Sequence, residues 1–328
     1  MNMLPPPPER LLLFAVFVSL CSLLLSLAIG STDIPPGEVL RHLLQNDGSI
    51  ADRIVDQLRL PRALSAFAIG GLLALAGALM QVLLRNPLGD PYVLGISGGA
   101  SSAVLLGMLL GLPALWLTPL AFGGALTSML IVFALARSAS DPGSTRLLLT
   151  GIVMAAGWAA LISLVLSLSP PMRLPGMLFW LMGDLSDALN PYPSLALLAL
   201  GLGAALWLAP RLNLASYGMQ QAAVLGVDPA RLRVQLYFLA SLLTAAAVAV
   251  AGAIGFVGLI TPHIARLLGA TDQRRLLPVA SLLGGSLLTL ADTAARTVVA
   301  PMQLPVGVLT ALIGVPVFLL LLHREKRL

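Results

Sequence analysis

Two arginines in Arg59-Leu60-Pro61-Arg62, and an acid four residues ahead of a base at Asp292 and Arg296, are the spaced ionic groups this chain could put to use. Residues four apart share a helix face, so Asp292 and Arg296 can pair for a few tenths of a kcal/mol, or the cation can stand ready for an acidic partner. Arg59 and Arg62 can snorkel to lipid headgroups or meet carboxylates from another protein. Covalent chemistry has less to work with. Cys21 is the single cysteine, which removes a disulfide framework and a cysteine metal cluster within the chain. His42, His263 and His323 lie far apart and form no HExxH pair. Lys326 is the single lysine, so there is no GxxxxGK[ST] phosphate loop and no ATP hydrolysis by that route. The expectation is a chain without catalytic residues, metal ligands or cofactor.

The elements that would position these groups follow from composition. Of 328 residues, 58% are apolar and 10% charged, and the mean hydropathy is +0.95. A soluble domain carries about a quarter charged residues and has no core able to hide so much apolar surface. The chain reads as an all-α, polytopic membrane protein, 1–328 forming a single transmembrane domain. Apolar runs fall at 11–29, 63–84, 92–112, 115–136, 147–168, 192–209, 234–250, 253–268, 279–295 and 306–322. About 20 residues cross ~30 Å of hydrocarbon, so about ten transmembrane helices are expected. The eighth run contains Pro262, His263 and Arg266 and reads as a short helix buried among others. Only His263, Arg266 and Asp292 are ionisable within the runs. Proton-coupled transporters and intramembrane enzymes need acids, bases or metal ligands at depth, so this pattern points to a pathway powered from elsewhere.

An even number of spans puts both termini on one side. With the N-terminus inside, thirteen Lys and Arg residues are cytoplasmic against six outside, which favours N-in and C-in. The excess of basic residues therefore reports topology, and nucleic acid is not an expected partner. The first run resembles a secretory leader ending in Ala28-Ile29-Gly30, but its apolar core is longer than the about 7–15 residues of a leader. Small residues four apart, Gly70, Ala74 and Ala78, then Gly124 and Ser128, allow helix backbones to approach closely. Residues 169–190 hold a short amphipathic helix expected on the outer surface. The longest inner loop, 211–233, contains a short helix stopped by Gly226, followed by Asp228 as N-cap and Pro229 as first helical residue of the next span.

The segment Gly255-Phe256-Val257-Gly258-Leu259-Ile260-Thr261-Pro262-His263-Ile264-Ala265-Arg266 resembles the FecCD permease family, the membrane subunits of importers for vitamin B12, haem and ferric siderophores. The likeness extends through Arg59-Leu60-Pro61-Arg62, Arg85-Asn86-Pro87-Leu88-Gly89-Asp90-Pro91, Gly95-Ile96-Ser97-Gly98-Gly99-Ala100, Leu225-Gly226-Val227, Ala291-Asp292 with Arg296, and Leu304-Pro305-Val306-Gly307. It implies ten helices per subunit, a homodimer with the pathway between copies, two separate ATPase subunits and a periplasmic substrate-binding protein. By position, it makes Arg59, Arg62 and Arg296 docking points for acidic residues of the binding protein. Asn86, Leu88, Ser144 and Thr145 become the inner gate, where residue chemistry alone reads a turn and a loop. Residues 216–227, with Ala222, Leu225, Gly226 and Val227, become the segment that couples to the ATPase, where residue chemistry alone reads a solvated helix. Gln303 departs from a frequent glutamate, which leaves the rim near Arg296 more positive; Gln273 departs from a frequent histidine and Gly89 from a common alanine.

The function expected is thus a non-catalytic permease subunit in a bacterial inner membrane, carrying vitamin B12 or a ferric siderophore, with haem third. Met154, Ser163, Ser167 and Met172 are candidates to line the pathway or to pack the core. The competing class is a self-sufficient secondary transporter or channel, which would need a coupling-ion site; unwound backbone carbonyls could supply one for sodium.

Overall fold

The computed structural model describes residues 8–30, 37, 53–137 and 144–325. The regular structure of these residues is entirely helical, in twelve α-helices: α1 (Pro8–Ala28), α2 (Leu60–Leu84), α3 (Ile96–Leu109), α4 (Leu117–Arg137), α5 (Ser144–Leu168), α6 (Leu174–Met182), α7 (Tyr192–Ser216), α8 (Met219–Val224), α9 (Pro229–Ala251), α10 (Val257–Leu267), α11 (Gln273–Thr297) and α12 (Val306–Glu325), with a π-helical turn at Val55–Arg59 leading into α2 and 3-10 turns at Pro91–Leu94 and Ala114–Trp116. Each apolar run overlaps one of them. Seven helices among the described residues are long and apolar enough to cross a membrane, fewer than the ten runs. Two of the three missing spans have a geometric cause: at 1.5 Å per residue, the 14 residues of α3 and 11 of α10 reach about 21 and 16 Å, short of ~30 Å; the third is α12, whose apolar stretch is counted over Val306–Leu320.

Helix α2 is the axis of the bundle. Pro61 suits its first turn, where no donor is needed. Its end comes at Arg85, whose left-handed φ of 49° turns the chain into Asn86-Pro87. Of its most apolar stretch, 94% is buried within the protein, between α7, α9, α10 and α11. Helix α1 lies against α11, and α3, α4 and α5 form a second group joined to the centre through α9.

Lipid is as apolar as leucine, so burial alone does not drive these helices together and close packing must. The small residues supply it. Gly70 and Ala74 of α2 rest on Gly284 of α11; a Cβ on Gly70 would sit 2.8 Å from that of Leu288. Gly77 rests on the Gly258 backbone of α10, and a Cβ on Gly258 would come 2.7 Å from the Leu73 carbonyl. The Gly124 and Ser128 stripe of α4 receives Gly99 of α3 in the same way.

One outer expectation changes in detail. Helix α6 is not simply laid on a surface: Met177 is fully buried among Leu105 and Val165, and just beyond the helix the Asp184 N–H donates to the Ala251 carbonyl at 2.9 Å. Helix α10 is buried, as Pro262 suggested, and it starts from a left-handed Phe256. The Asp228 N-cap and Gly226 stop are present, the Asp228 carboxylate accepting from the N–H groups of Ala230 and Arg231 at 3.0 and 3.2 Å.

Gly77→Ala places a methyl where the Gly258 carbonyl lies. We expect a loss of about 1–3 kcal/mol from overpacking, read as a lower thermal midpoint in detergent. Gly157→Ala on α5, whose Cβ would meet nothing within 4 Å, should leave the midpoint unchanged.

Candidate functional site

At the N-terminal end of α2 the expected arginines converge on the C-terminal ends of α1 and α11. They are not outward-pointing cations: Arg59 is 4% exposed and Arg62 8%. Arg62 grips Asp292 through two nitrogens, Nη2 to Oδ1 at 2.8 Å and Nε to Oδ2 at 3.0 Å. Asp292, 1% exposed, also takes Arg296 Nε at 3.2 Å. The pair expected four apart on one helix is therefore present, as part of a triad. Arg296 Nη2 donates to Ser26 Oγ of α1 at 3.0 Å. Arg59 Nη1 donates to the Leu27 and Ala28 carbonyls at 2.7 and 3.1 Å, placing a cation at the negative end of α1. Gln303 meets Arg62 rather than Arg296, accepting from Nη1 at 3.1 Å. It supplies an acceptor without a charge beside the Asp292 carboxylate that Arg62 and Arg296 share.

At the C-terminal end of α2 the organising side chain is Gln81, 4% exposed, which the sequence reading passed over. It accepts from Arg266 Nη1 at 2.6 Å and donates to the Leu259 carbonyl at 3.2 Å, tying α2 to α10. Gln81 was findable as the one polar residue in the second half of the α2 run. The expected turn follows: the Leu88 N–H donates to Asn86 Oδ1 and the Gly89 N–H to the Asn86 carbonyl, both at 2.9 Å. Ser144 and Thr145 open α5, but their side chains lie outside the described residues. A cavity of about 470 Å³ joins this turn to the end of α7 and to His263, Arg266 and Gln273.

Helix α7 runs on to Ser216 and breaks at Gly218, whose φ of 124° only glycine adopts readily. The next helix, α8, is shorter than expected and closes at Gly226, with φ of 86°. Its side chains divide by direction. Ala222 is fully buried within the chain and Val227 is 9% exposed, whereas Val224 and Leu225 are 88% and 65% exposed. Of the four coupling residues named from sequence, only Leu225 and Gly226 face outward, and Val224 joins them. The base of the loop is pinned by Asn213, whose Nδ2 donates to Asp272 Oδ1 and whose Oδ1 accepts from the Gln273 N–H. The Asn213 amide, then the Arg274 N–H, hold the Asp272 carboxyl below its ordinary value. With the folded value below the unfolded one, that stabilisation is complete at neutral pH and lost as pH falls through the folded value.

Residues 16–324 match the FecCD transport family. An ABC transporter permease protein of Bacillus subtilis, YvrB, is 40% identical over 323 residues, spanning 93% of this chain and 91% of that one. A vitamin B12 import system permease protein of Yersinia enterocolitica, BtuC, is 39% identical over 326 residues, spanning 97% and 94%. A solved structure of an inward-facing metal-chelate type ABC transporter superposes with a TM-score of 0.86 at 31% identity, covering 96% of this chain and 99% of that one.

The triad generates a stability test. Asp292→Asn leaves two buried guanidiniums without their carboxylate, and removal of one partner from a buried ionic cluster costs about 3–5 kcal/mol. The thermal midpoint should fall accordingly. Adding Gln303→Glu to that variant restores a carboxylate beside Arg62 and should recover part of the loss.

Proposed function

Because the chain belongs to the FecCD transport family, we propose that it is the permease subunit of an ATP-binding cassette importer that carries a metal chelate into the cytoplasm. The observation that carries this reading is the exposed apolar corner of α8. Val224 and Leu225 stand out beside a helix whose other face is locked into the bundle, a surface suited to cover by a separate soluble protein. That protein is the ATPase, two copies serving a permease homodimer. Both termini lie on the cytoplasmic side with α8, in a bacterial inner membrane.

Vitamin B12 is the cargo with the stronger support, through the BtuC proteins of Yersinia, and a ferric siderophore is the second candidate. The pathway runs between two copies. Helix α5 suits this position: only 11% of its apolar stretch is buried within the chain, and Ser163 and Ser167 are exposed there with hydroxyls turned back to the Ala159 and Leu164 carbonyls. At the outer end, the cluster of Arg59, Arg62 and Arg296 is the feature that acidic residues of a periplasmic binding protein would recognise. Arg59, Arg62 and Arg296 then serve twice, holding the helix ends and setting the field at the surface. At the inner end, the Asn86 turn, with Leu88, and the start of α5 at Ser144 and Thr145 form the gate. Closure of the ATPases on ATP moves α8, and the gates at the two ends open in alternation. The permease makes and breaks no covalent bond.

Reconstitution with the ATPase and binding protein tests these parts. Leu225→Asp should lower chelate uptake and uptake-stimulated ATP hydrolysis together by tenfold or more with the thermal midpoint unchanged, whereas Ala222→Asp should lower the midpoint itself. Wild-type uptake by the Leu225 variant would refute the coupling assignment. Arg59→Gln should weaken capture of the binding protein, more at low salt than at high. A cysteine at Leu88 in a Cys21→Ala background should cross-link between copies and block uptake, while one at Leu13, on the exposed face of α1, should not. Equal linking at the two positions would place the gate elsewhere.

A further inference from the structure

The outward face of α7 ends in an arrangement of aromatic and basic side chains that the gate does not use and that borders the coupling segment at Leu225. Leu200 is 71% exposed and Trp207 66%; seven residues apart, they lie on one helix face, an apolar stripe turned away from the bundle. One turn beyond Trp207 stands Arg211, its guanidinium 4.8 Å from the centre of the indole ring. An apolar stripe closed by a tryptophan and then an arginine marks the passage from hydrocarbon to headgroups. There the wall opens into a cavity of about 420 Å³, lined by Trp207, Arg211, Leu225, Asp228 and Arg231 among others.

The charge of this cavity is lopsided. Two guanidiniums face one carboxylate, and Asp228 is already committed, one oxygen to the N–H groups that open α9 and the other to Arg231 Nε at 3.1 Å. The surplus is one positive charge, one turn beyond the tryptophan that closes the exposed apolar stripe of α7. Water alone does not use such a combination.

We propose that this cavity binds the headgroup phosphate of an anionic phospholipid from the leaflet on the α8 side, held by Arg211 and Arg231 with its chains along Leu200 and Trp207. Basic pockets between helices at that level are built for anionic headgroups. The planar Arg211 guanidinium, oriented by the indole, offers a paired set of donors that an ammonium lacks. The assignment rests on the cavity and the exposed apolar stripe of α7, with Arg211 and Arg231, rather than the Leu225 of the coupling contact, left to hold the ligand.

The full chain, purified and exchanged into phosphatidylglycerol or phosphatidylcholine, provides the test by native mass spectrometry. We expect phosphatidylglycerol to be retained at least tenfold more strongly than phosphatidylcholine, and Arg211→Gln with Arg231→Gln to abolish the preference. Arg211→Lys, which keeps the charge and the fold but not the fork, should lose part of it. Arg146→Gln, an exposed arginine at the same end, should lose none. Equal retention of the two lipids, or an equal loss with Arg146→Gln, would overturn the proposal. Displacement of the lipid by millimolar inorganic phosphate would overturn it too, identifying the ligand as the free anion.

Discussion

Contact at backbone distance around α2 is the constraint on which the rest of the structure depends. A helix surrounded by protein inside a membrane gains little from being apolar, because its neighbours and the lipid are equally apolar. What distinguishes the correct neighbours is fit, and here fit means glycine against carbonyl at Gly70 with Gly284 and at Gly77 with Gly258. Once those crossings are made, the two ends of α2 are fixed in space, and each end carries a polar clasp: Arg62 on Asp292 of α11 at one, Gln81 on Arg266 of α10 at the other. The packing in the middle and the hydrogen bonds at the ends are thus one device, since neither clasp can reach its partner unless the helices touch between them.

The two clasps differ in kind. The Asp292 cluster is ionic, with Arg62 and Arg296 drawing on the one carboxylate and Arg59 on the last carbonyls of α1. Such a cluster is costly to break and tolerates little rearrangement. The Gln81 clasp joins an amide to one guanidinium and one carbonyl, beside a water-accessible cavity. Its contacts can be exchanged for water at small net cost. A transporter that must hold one end while moving the other would be built with this asymmetry.

Much of this was legible in the sequence, for physical reasons. Apolar runs located the helices because a membrane leaves a chain few alternatives to helix. The Asp228-Pro229 start, the Gly226 stop and the Asp292–Arg296 pair depended on local geometry that spacing alone determines. Contacts between distant segments were not legible. Arg59 and Arg62 read as surface cations because nothing in their own neighbourhoods names the end of α1 or, for Arg62, Asp292 and Gln303 as acceptors, and spacing that paired Arg296 with Asp292 could not name Ser26. Ala222 read as a surface residue because a six-residue helix has too few turns for periodicity to reveal which side faces in. The length criterion failed at α3, where composition marked an apolar run over 92–112 but the helix within it has 14 residues, whereas the polar residues and proline of the eighth run had already marked α10 as short.

That short helix bears on how the protein is made. A translocon hands segments to the bilayer one by one, judging each by its own length and polarity. Helix α10, with His263 and Arg266 in 11 residues, does not qualify by itself, and the surfaces it needs belong partly to α2, synthesised far earlier, and to α11, not yet made when α10 emerges. Its placement is therefore an act of folding inside the membrane rather than of insertion, completed only after α11 has left the ribosome. Any agent that slows the synthesis of α11 would hold α10 waiting in a half-built bundle, and that interval is when the nascent chain is most open to quality-control proteases.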